Sequence, residues 1–175
     1  MEKKQLSVAE RIAYVSLLVA LQVVLGNLAQ IALFTKQIHF GFLPIALAGI
    51  LLGAPEAMLV GGLGDFFGAH LFPAGAYFPG FTLSNVIVGL LYGFILHRQK
   101  VCIWRIAAAV VAASVCYLFL NSYWLSIIAK VRSYWAWVGI RWWNYLIEIP
   151  VNTVTLYFTL RGLRKYKLFG FTETK

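Results

Sequence analysis

Apolar runs long enough to cross a lipid bilayer alternate with short polar or Pro/Gly-marked breaks along the whole chain. A helix needs about 20 predominantly apolar residues to cross the hydrocarbon core. Breaks lie, for example, at residues 35–37, 53–56 and 97–100. The pattern predicts six spans, at residues 8–31, 39–53, 55–71, 80–97, 103–128 and 137–160. We therefore expect an all-α integral membrane protein, a compact six-helix bundle that forms one membrane domain over residues 1–175.

The composition supports this fold class. Of the 175 residues, 61% are hydrophobic and 12% are charged, and the mean hydropathy is +0.79. Soluble domains are about 45–50% apolar and about 25% charged. The difference excludes a cytosolic globular enzyme, a nucleic-acid-binding domain and a disordered tail. Because six spans use almost the whole length, we expect the function to reside within the bilayer or at its two faces.

Positive charge is concentrated on one side of the predicted bundle. The formal net charge is +9, and cytoplasmic loops of membrane proteins collect Lys and Arg, so no nucleic acid is needed to explain it. The side of both termini has Lys3, Lys4, Arg11, Arg98, Lys100, Arg105, Arg161, Arg164, Lys165, Lys167 and Lys175. The other side has Lys36, Lys130, Arg132 and Arg141. We therefore expect a multi-pass membrane protein with both termini in the cytoplasm.

Polar residues within the predicted spans gather in the halves nearer the outside. Polar groups in hydrocarbon are costly and usually face a cavity or a partner. The outer halves contain Asn27, Gln30, Asp65, His70, Thr82, Ser84, Asn85, Asn121, Ser122, Arg141, Asn144 and Glu148. The inner halves, such as 50–52, 86–91 and 106–115, are almost wholly apolar or small. This distribution predicts a polar, aromatic-lined cavity that is open to the outside and closed below.

Purely structural roles remain as alternatives for the charged residues of this set. Asp65 would then form an ion pair with Arg141 or Lys36. Arg141, Asn144 and Glu148 share one helical face because they are spaced i, i+3, i+7. A pair between Glu148 and Arg141 would then serve only as a contact between helices.

The sequence contains no pattern of a catalytic or metal site. It has no HExxH, no CxxC, no phosphate-binding glycine loop and no Ser/His pair of recognisable spacing. His39, His70 and His97 are scattered along the chain. We therefore predict no catalytic residues, no metal and no enzyme activity, and favour ligand binding.

Small side chains form a stripe on the first helix. Ala9, Ala13, Ser16 and Ala20 follow one another at spacings of four, three and four residues. Stripes of this kind let another helix approach closely in a membrane. The stripe serves either packing within this bundle or docking of a separate membrane subunit.

Four segments carry the pattern of a known family. They are 39–49 (HFGFLPIALAG), 61–68 with Asp65, 77–84 (YFPGFTLS) and 120–125 (LNSYWL). Together with the stripe they resemble the substrate-binding (S) component of an energy-coupling factor (ECF) transporter, and more narrowly the folate-specific S component. The resemblance implies that the chain lies in the plasma membrane of a prokaryote and binds a vitamin outside the cell. It also implies a membrane coupling subunit and two cytoplasmic ABC ATPases, which would use the ATP, so that this chain needs no cofactor.

Folate also suits the predicted cavity on physical grounds. Its pterin edge presents neighbouring N–H donors to a carboxylate, its rings stack on aromatic side chains, and its glutamate tail needs cations such as Arg141, Arg132 or Lys130. We expect the pterin deep in the cavity and the glutamate near the surface. The candidate ligand-binding residues are Asp65, Tyr77, Phe78, Thr82, Asn85, Asn121, Trp124, Arg141, Trp142, Asn144 and Glu148.

Other functions stay open at this point. An S component for thiamine, riboflavin or pantothenate would also need a polar, aromatic cavity. A small membrane-embedded lipid-modifying enzyme would need carboxylates or a metal cluster near the cytoplasmic interface. A channel or structural bundle would have polar residues through the full depth of the membrane.

Overall fold

A computed structural model describes residues 6–27, 30–33, 36–73, 77–99, 102–129 and 132–165. Within these ranges the chain forms six helices and one short hairpin. The helices are α1 (Val8–Asn27), α2 (Phe42–Leu51), α3 (Ala54–Leu71), α4 (Pro79–Leu96), α5 (Ile103–Ala129) and α6 (Tyr134–Lys165). The strands β1 (Gln30–Leu33) and β2 (Lys36–His39) lie between α1 and α2. The prediction of an all-α bundle of six helices is confirmed.

The hairpin is the main departure from the predicted elements. The first span was expected to continue to residue 31, whereas α1 ends at Asn27 and Ile31 belongs to β1. The strands are antiparallel, with Gln30 opposite His39 and Ile31 opposite Ile38. Pairing satisfies backbone N–H and C=O groups of a segment that leaves the helix before α2 begins.

The helices differ in how well they meet the requirements for crossing a bilayer. In the described part of the chain, α1, α4 and α5 are long and apolar enough to do so by length and composition. Helix α2 has only ten residues. Helices α3 and α6 carry ionisable side chains, including Asp65 and Glu148, and these two residues line the cavity described below.

Helix α2 is the centre of the bundle. All residues from Phe42 to Ile50 are buried, and the helix packs against α1, α3 and α4. Its last turn leads into α3 through Gly53, whose φ of +129° favours glycine, and Pro55 lies in the first turn of α3. The helices α3, α4, α5 and α6 pack one against the next in chain order. As a result, α3 and α6 stand at the two ends of this row and form opposite walls of the space beside it.

The helix connections define two ends of the bundle. The mouth end consists of the C-terminal ends of α1, α3 and α5 and the N-terminal ends of α2, α4 and α6. The opposite end of the bundle is called the base end. At the base end the side chain of Arg11 in α1 forms an ion pair with Glu56 in the first turn of α3, with 2.9 Å between Nη1 and Oε1.

Candidate ligand-binding cavity

A cavity of about 400 Å³ lies between the helices on the mouth side of the bundle. This volume lies in the range of small-molecule sites. Its polar lining residues are Gln22, Asn27, Asp65, Asn85, Ser114, Asn121, Arg141, Glu148 and Asn152. Its aromatic lining residues are Phe42, Phe72, Tyr77, Phe78, Phe81, Tyr92, Tyr117 and Tyr145. The combination of aromatic surface with a few polar groups is typical of a site that stacks on a flat ligand and fixes its orientation.

The structure brings many of the candidate residues together around this cavity. Those that line it are Asp65, Tyr77, Phe78, Asn85, Asn121, Arg141 and Glu148. The remaining candidates, Thr82, Trp124, Trp142 and Asn144, are not among its lining residues.

Two of these four support lining residues from behind. Thr82 donates a hydrogen bond to Asp65, with 2.6 Å between Oγ1 and Oδ2. Trp124 donates from Nε1 to Ser84 Oγ at 3.0 Å, and its ring lies 5.7 Å from the ring of Phe78. Both side chains therefore hold parts of the wall and do not face the cavity themselves.

The residues of α6 that face the cavity are not the complete set expected from the sequence. Arg141 and Glu148 line the cavity, but Tyr145 and Asn152 accompany them where Asn144 was expected. At about 100° per residue, Asn144 lies roughly 70° from the centre of the face formed by those four residues. Trp142 lies further round the helix and is 48% exposed.

Asp65 accepts a hydrogen bond on each of its two carboxylate oxygens. Its Oδ2 accepts the Thr82 hydroxyl at 2.6 Å, and its Oδ1 accepts Asn85 Nδ2 at 3.0 Å. The Asn85 amide is oriented in turn, because Tyr117 donates to its Oδ1 at 2.6 Å and Nδ2 also reaches Phe81 O at 3.1 Å. The carboxylate is therefore held in one plane by donors on both oxygens, and each oxygen keeps a further lone pair for a ligand.

This arrangement rules out one alternative for Asp65. Its oxygens bond to Thr82 and Asn85, and Asp65 forms no ion pair with Arg141 within the described residues. The side chain of Lys36, the other partner considered, lies outside the described residues.

Three amide oxygens at the cavity have no hydrogen-bond partner in the described part of the chain. They are Gln22 Oε1, Asn121 Oδ1 and Asn152 Oδ1, and all three are buried. A buried acceptor without a partner costs about 1–3 kcal/mol. The cavity is therefore ready to receive donors from a ligand.

Several lining residues were missed at the sequence level. Among them are Gln22, Tyr92, Ser114, Tyr117, Tyr145 and Asn152. Gln22 interrupts an apolar run and Asn152 follows Glu148 by four residues, so both carried a usable signal. Ser114 belongs to the segment 106–115, which was expected to be plain, and Tyr92 follows the segment 86–91. The cavity therefore extends deeper than the sequence predicted.

Comparisons with known proteins place the chain in a family. The model of the family described as "ECF transporter, substrate-specific component" matches residues 10–160. "Folate transporter FolT" of Clostridium novyi (strain NT) is 32% identical over 145 residues, which are 82% of this chain and 84% of that protein. "Folate transporter FolT" of Leuconostoc mesenteroides subsp. mesenteroides is 29% identical over 153 residues, which are 84% of this chain and 82% of that protein.

The fold agrees with the sequence matches. A solved structure described as "Crystal structure of FolT bound with folic acid" superimposes with a TM-score of 0.76 at 29% identity. The match covers 85% of this chain and 90% of that one. The family resemblance found in the sequence is thus confirmed. The chain belongs to the substrate-specific components of ECF transporters, which are membrane transport proteins and not enzymes.

Proposed function

We propose that this chain binds folate in the cavity, with the pterin against Asp65 and the glutamate carboxylates toward Arg141. The observation that carries the proposal is the placement of an oriented carboxylate on the α3 wall and a guanidinium on the opposite α6 wall. Folate has the complementary polarity, because its pterin end offers N–H donors and its other end carries two carboxylates. The names of the relatives support the same ligand.

The pterin end fits Asp65 in geometry and chemistry. The 2-amino group and the neighbouring ring N–H of pterin are parallel donors, and a carboxylate accepts such a pair with one oxygen each. Thr82 and Asn85 already set the carboxylate plane. The rings of Tyr77 and Phe78, which also line the cavity, provide surfaces for stacking.

The glutamate end needs a cation, and Arg141 provides one within the cavity lining. A guanidinium binds a carboxylate through two parallel N–H donors. Arg132 lies 5.6 Å from the ring of Trp137, and Lys130 lies outside the described residues. Asp65 and Arg141 stand six and seven residues from the mouth ends of their helices, which is about 10 Å in each case. The proposed pose therefore runs across the cavity, instead of from a deep pterin to a shallow glutamate.

Binding measurements with ligand fragments test this pose. Asp65→Asn keeps the shape of the side chain and removes its charge, so it should weaken folic acid and pteroic acid, which both contain the pterin. Arg141→Ala should weaken folic acid by about 10–100-fold, since a charge-assisted hydrogen bond contributes about 1.5–3 kcal/mol. It should leave pteroic acid, which lacks the glutamate, nearly unchanged.

Arg105→Ala is the matched control for Arg141→Ala, because Arg105 bonds to Gln99 near the base end, far from the cavity. The affinity of the Arg105→Ala variant for folic acid should equal that of the wild type. Unchanged folic acid affinity in both Asp65→Asn and Arg141→Ala would refute the assignment.

Delivery of the ligand is assigned to partners. We infer that a membrane coupling subunit and two cytoplasmic ABC ATPases drive transport, and that the chain itself uses no cofactor; the family implies the partners. Ala9, Ala13, Ser16 and Ala20 are all exposed in the structure. Exposure supports a docking role for the stripe, because these side chains are not covered within this chain. Both termini would lie in the cytoplasm and the mouth end outside the cell, across the plasma membrane.

The docking role is separable from ligand binding. Ala13→Leu places a bulky side chain on the stripe and leaves the cavity intact. We expect normal folic acid binding, together with loss of ATP-dependent uptake into vesicles and of co-purifying ATPases. Leu21 is exposed on the same helix, about 110° from the centre of the stripe, so Leu21→Ala should change neither property. Uptake that persists in Ala13→Leu would contradict the docking role.

A further inference from the structure

Thr82 contacts the carboxylate at the cavity without lining the cavity. Its hydroxyl lies 2.6 Å from Asp65 Oδ2. The side chain otherwise borders an apolar groove on the outer surface of α3 and α4, beside Phe66 and Val86. A ligand in the cavity therefore reaches Asp65 from one side and Thr82 reaches it from the other.

The directions of the hydrogen bonds around Thr82 follow from counting hydrogens. A threonine hydroxyl has one hydrogen, and an ionised carboxylate only accepts. Thr82 therefore gives its hydrogen to Asp65. Tyr77, whose hydroxyl lies 2.9 Å from Thr82 Oγ1, must then donate to Thr82. The result is a relay from Tyr77 through Thr82 to Asp65 in which every donor is directed toward the carboxylate.

Tyr77 is itself held against α3. Its ring lies 4.9 Å from the ring of His70 and 5.8 Å from the ring of Phe66, edge to face in the second case. His70 and Phe66 are neighbours on α3, one turn apart, with 4.3 Å between their rings. The relay therefore begins on a side chain whose position is set by the same helix that carries Asp65.

We propose that Thr82 is a positioning residue for ligand recognition: its hydroxyl, oriented by Tyr77, fixes the plane of the Asp65 carboxylate so that both oxygens meet the paired pterin donors. The proposal rests on the proposed function, because it takes the pterin as the group that Asp65 recognises. Asn85, backed by Tyr117, fixes the second oxygen in the same way. Without the Thr82 hydroxyl the carboxylate would be anchored through one oxygen only, and its rotation about χ2 would be less restrained.

The test compares folic acid with 2-desamino-folic acid, which lacks one of the paired donors, in three variants. Thr82→Val keeps the shape and removes the hydroxyl, Thr82→Ser keeps the hydroxyl, and Tyr77→Phe removes the donor to Thr82. In Thr82→Val we expect folic acid to bind about tenfold more weakly and 2-desamino-folic acid to change less than about twofold. The preference for folic acid should thus fall. Thr82→Ser should restore it, and Tyr77→Phe should lie between.

Each outcome of this experiment either supports or overturns a stated part of the proposal. The positioning role is overturned if Thr82→Val binds folic acid as tightly as the wild type. It is also overturned if the substitution weakens the binding of both ligands by the same factor. Neither result affects the proposed function. Wild-type protein that binds neither ligand overturns the proposed function itself. If Thr82→Val does not fold in detergent, Tyr77→Phe carries the test alone, because it removes one oxygen from a side chain that is 39% exposed.

Discussion

Arg11 and Glu56 join α1 to the first turn of α3 through an ion pair whose two side chains differ in exposure, 52% for Arg11 and 12% for Glu56. The pair lies at the base end, while Asp65 lies nine residues further along α3 toward the mouth end. Because Glu56 is the more buried partner, the two halves of the pair are not equivalent.

Removal of Arg11 should cost more stability than neutralisation of Glu56. Arg11→Gln leaves a largely buried carboxylate without its cation, and an uncompensated buried charge is strongly unfavourable. Glu56→Gln leaves an exposed guanidinium that water solvates, so the loss should stay below about 1 kcal/mol. Melting temperatures in detergent should fall further for Arg11→Gln. Equal shifts in the two variants would contradict this reading.

Helix α4 approaches α3 too closely to admit a side chain at Gly89. A methyl group there would collide with the carbonyl oxygen of Ala57 on α3. Gly89→Ala should therefore lower stability by about 1–3 kcal/mol, the usual cost of overpacking. Gly139→Ala is the matched control, because no other atom lies within 4 Å of the added methyl group. Alanine favours helix over glycine by about 1 kcal/mol, so the control should melt at the same or a higher temperature.

Gln22 should lower the stability of the ligand-free protein and raise its affinity for the ligand. Its Oε1 is buried without a partner among the described residues, and its Nε2 is 3.5 Å from Gly61 O. Gln22→Met keeps the length of the side chain and removes an unsatisfied acceptor, so the ligand-free protein should melt higher. The rise in melting temperature on adding folic acid should shrink. A variant with a lower melting point and an unchanged folic acid shift would show that Oε1 does not serve the ligand.

Cys102 reports the orientation of the bundle. It is exposed just before α5, at the base end, whereas Cys116 is half-buried within α5. If the base end faces the cytoplasm, a membrane-impermeant maleimide should label Cys102 in lysed cells and not in intact ones. Cys102→Ser should abolish the lysate signal. Labelling of intact cells would reverse the proposed orientation.

The apolar runs were sufficient to predict the six helices but not the connection after α1. Residues 31–34 are apolar like the preceding helix, and residues 35–37 show only a polar break. What separates the hairpin from the helix is cross-strand backbone pairing, such as that of Gln30 with His39. This pairing depends on a partner nine positions away and leaves little trace in composition.

Charged candidates were easy to select from the sequence, because a charged side chain inside an apolar helix is costly. Asp65, Arg141 and Glu148 are conspicuous inside apolar helices and all line the cavity. Tyr117 and Tyr145 were not selected as candidates, because a tyrosine in a membrane span occurs both in protein cores and at the membrane–water interface. Thr82 was selected as a polar residue within the segment 77–84, and the structure shows that its hydroxyl bonds to Asp65 without lining the cavity.

The exposed small-residue stripe on α1 has a mechanical consequence. Ala20 lies on the stripe, whereas Gln22, two residues later and about 200° further round the helix, is buried beside Gly61 and lines the cavity. When a helix rotates about its axis, all of its faces rotate together. Any torque that a bound partner applies to the stripe therefore also moves an amide that lines the ligand pocket. If the stripe docks a partner as proposed, engagement of that partner and release of the ligand would be coupled through α1 itself.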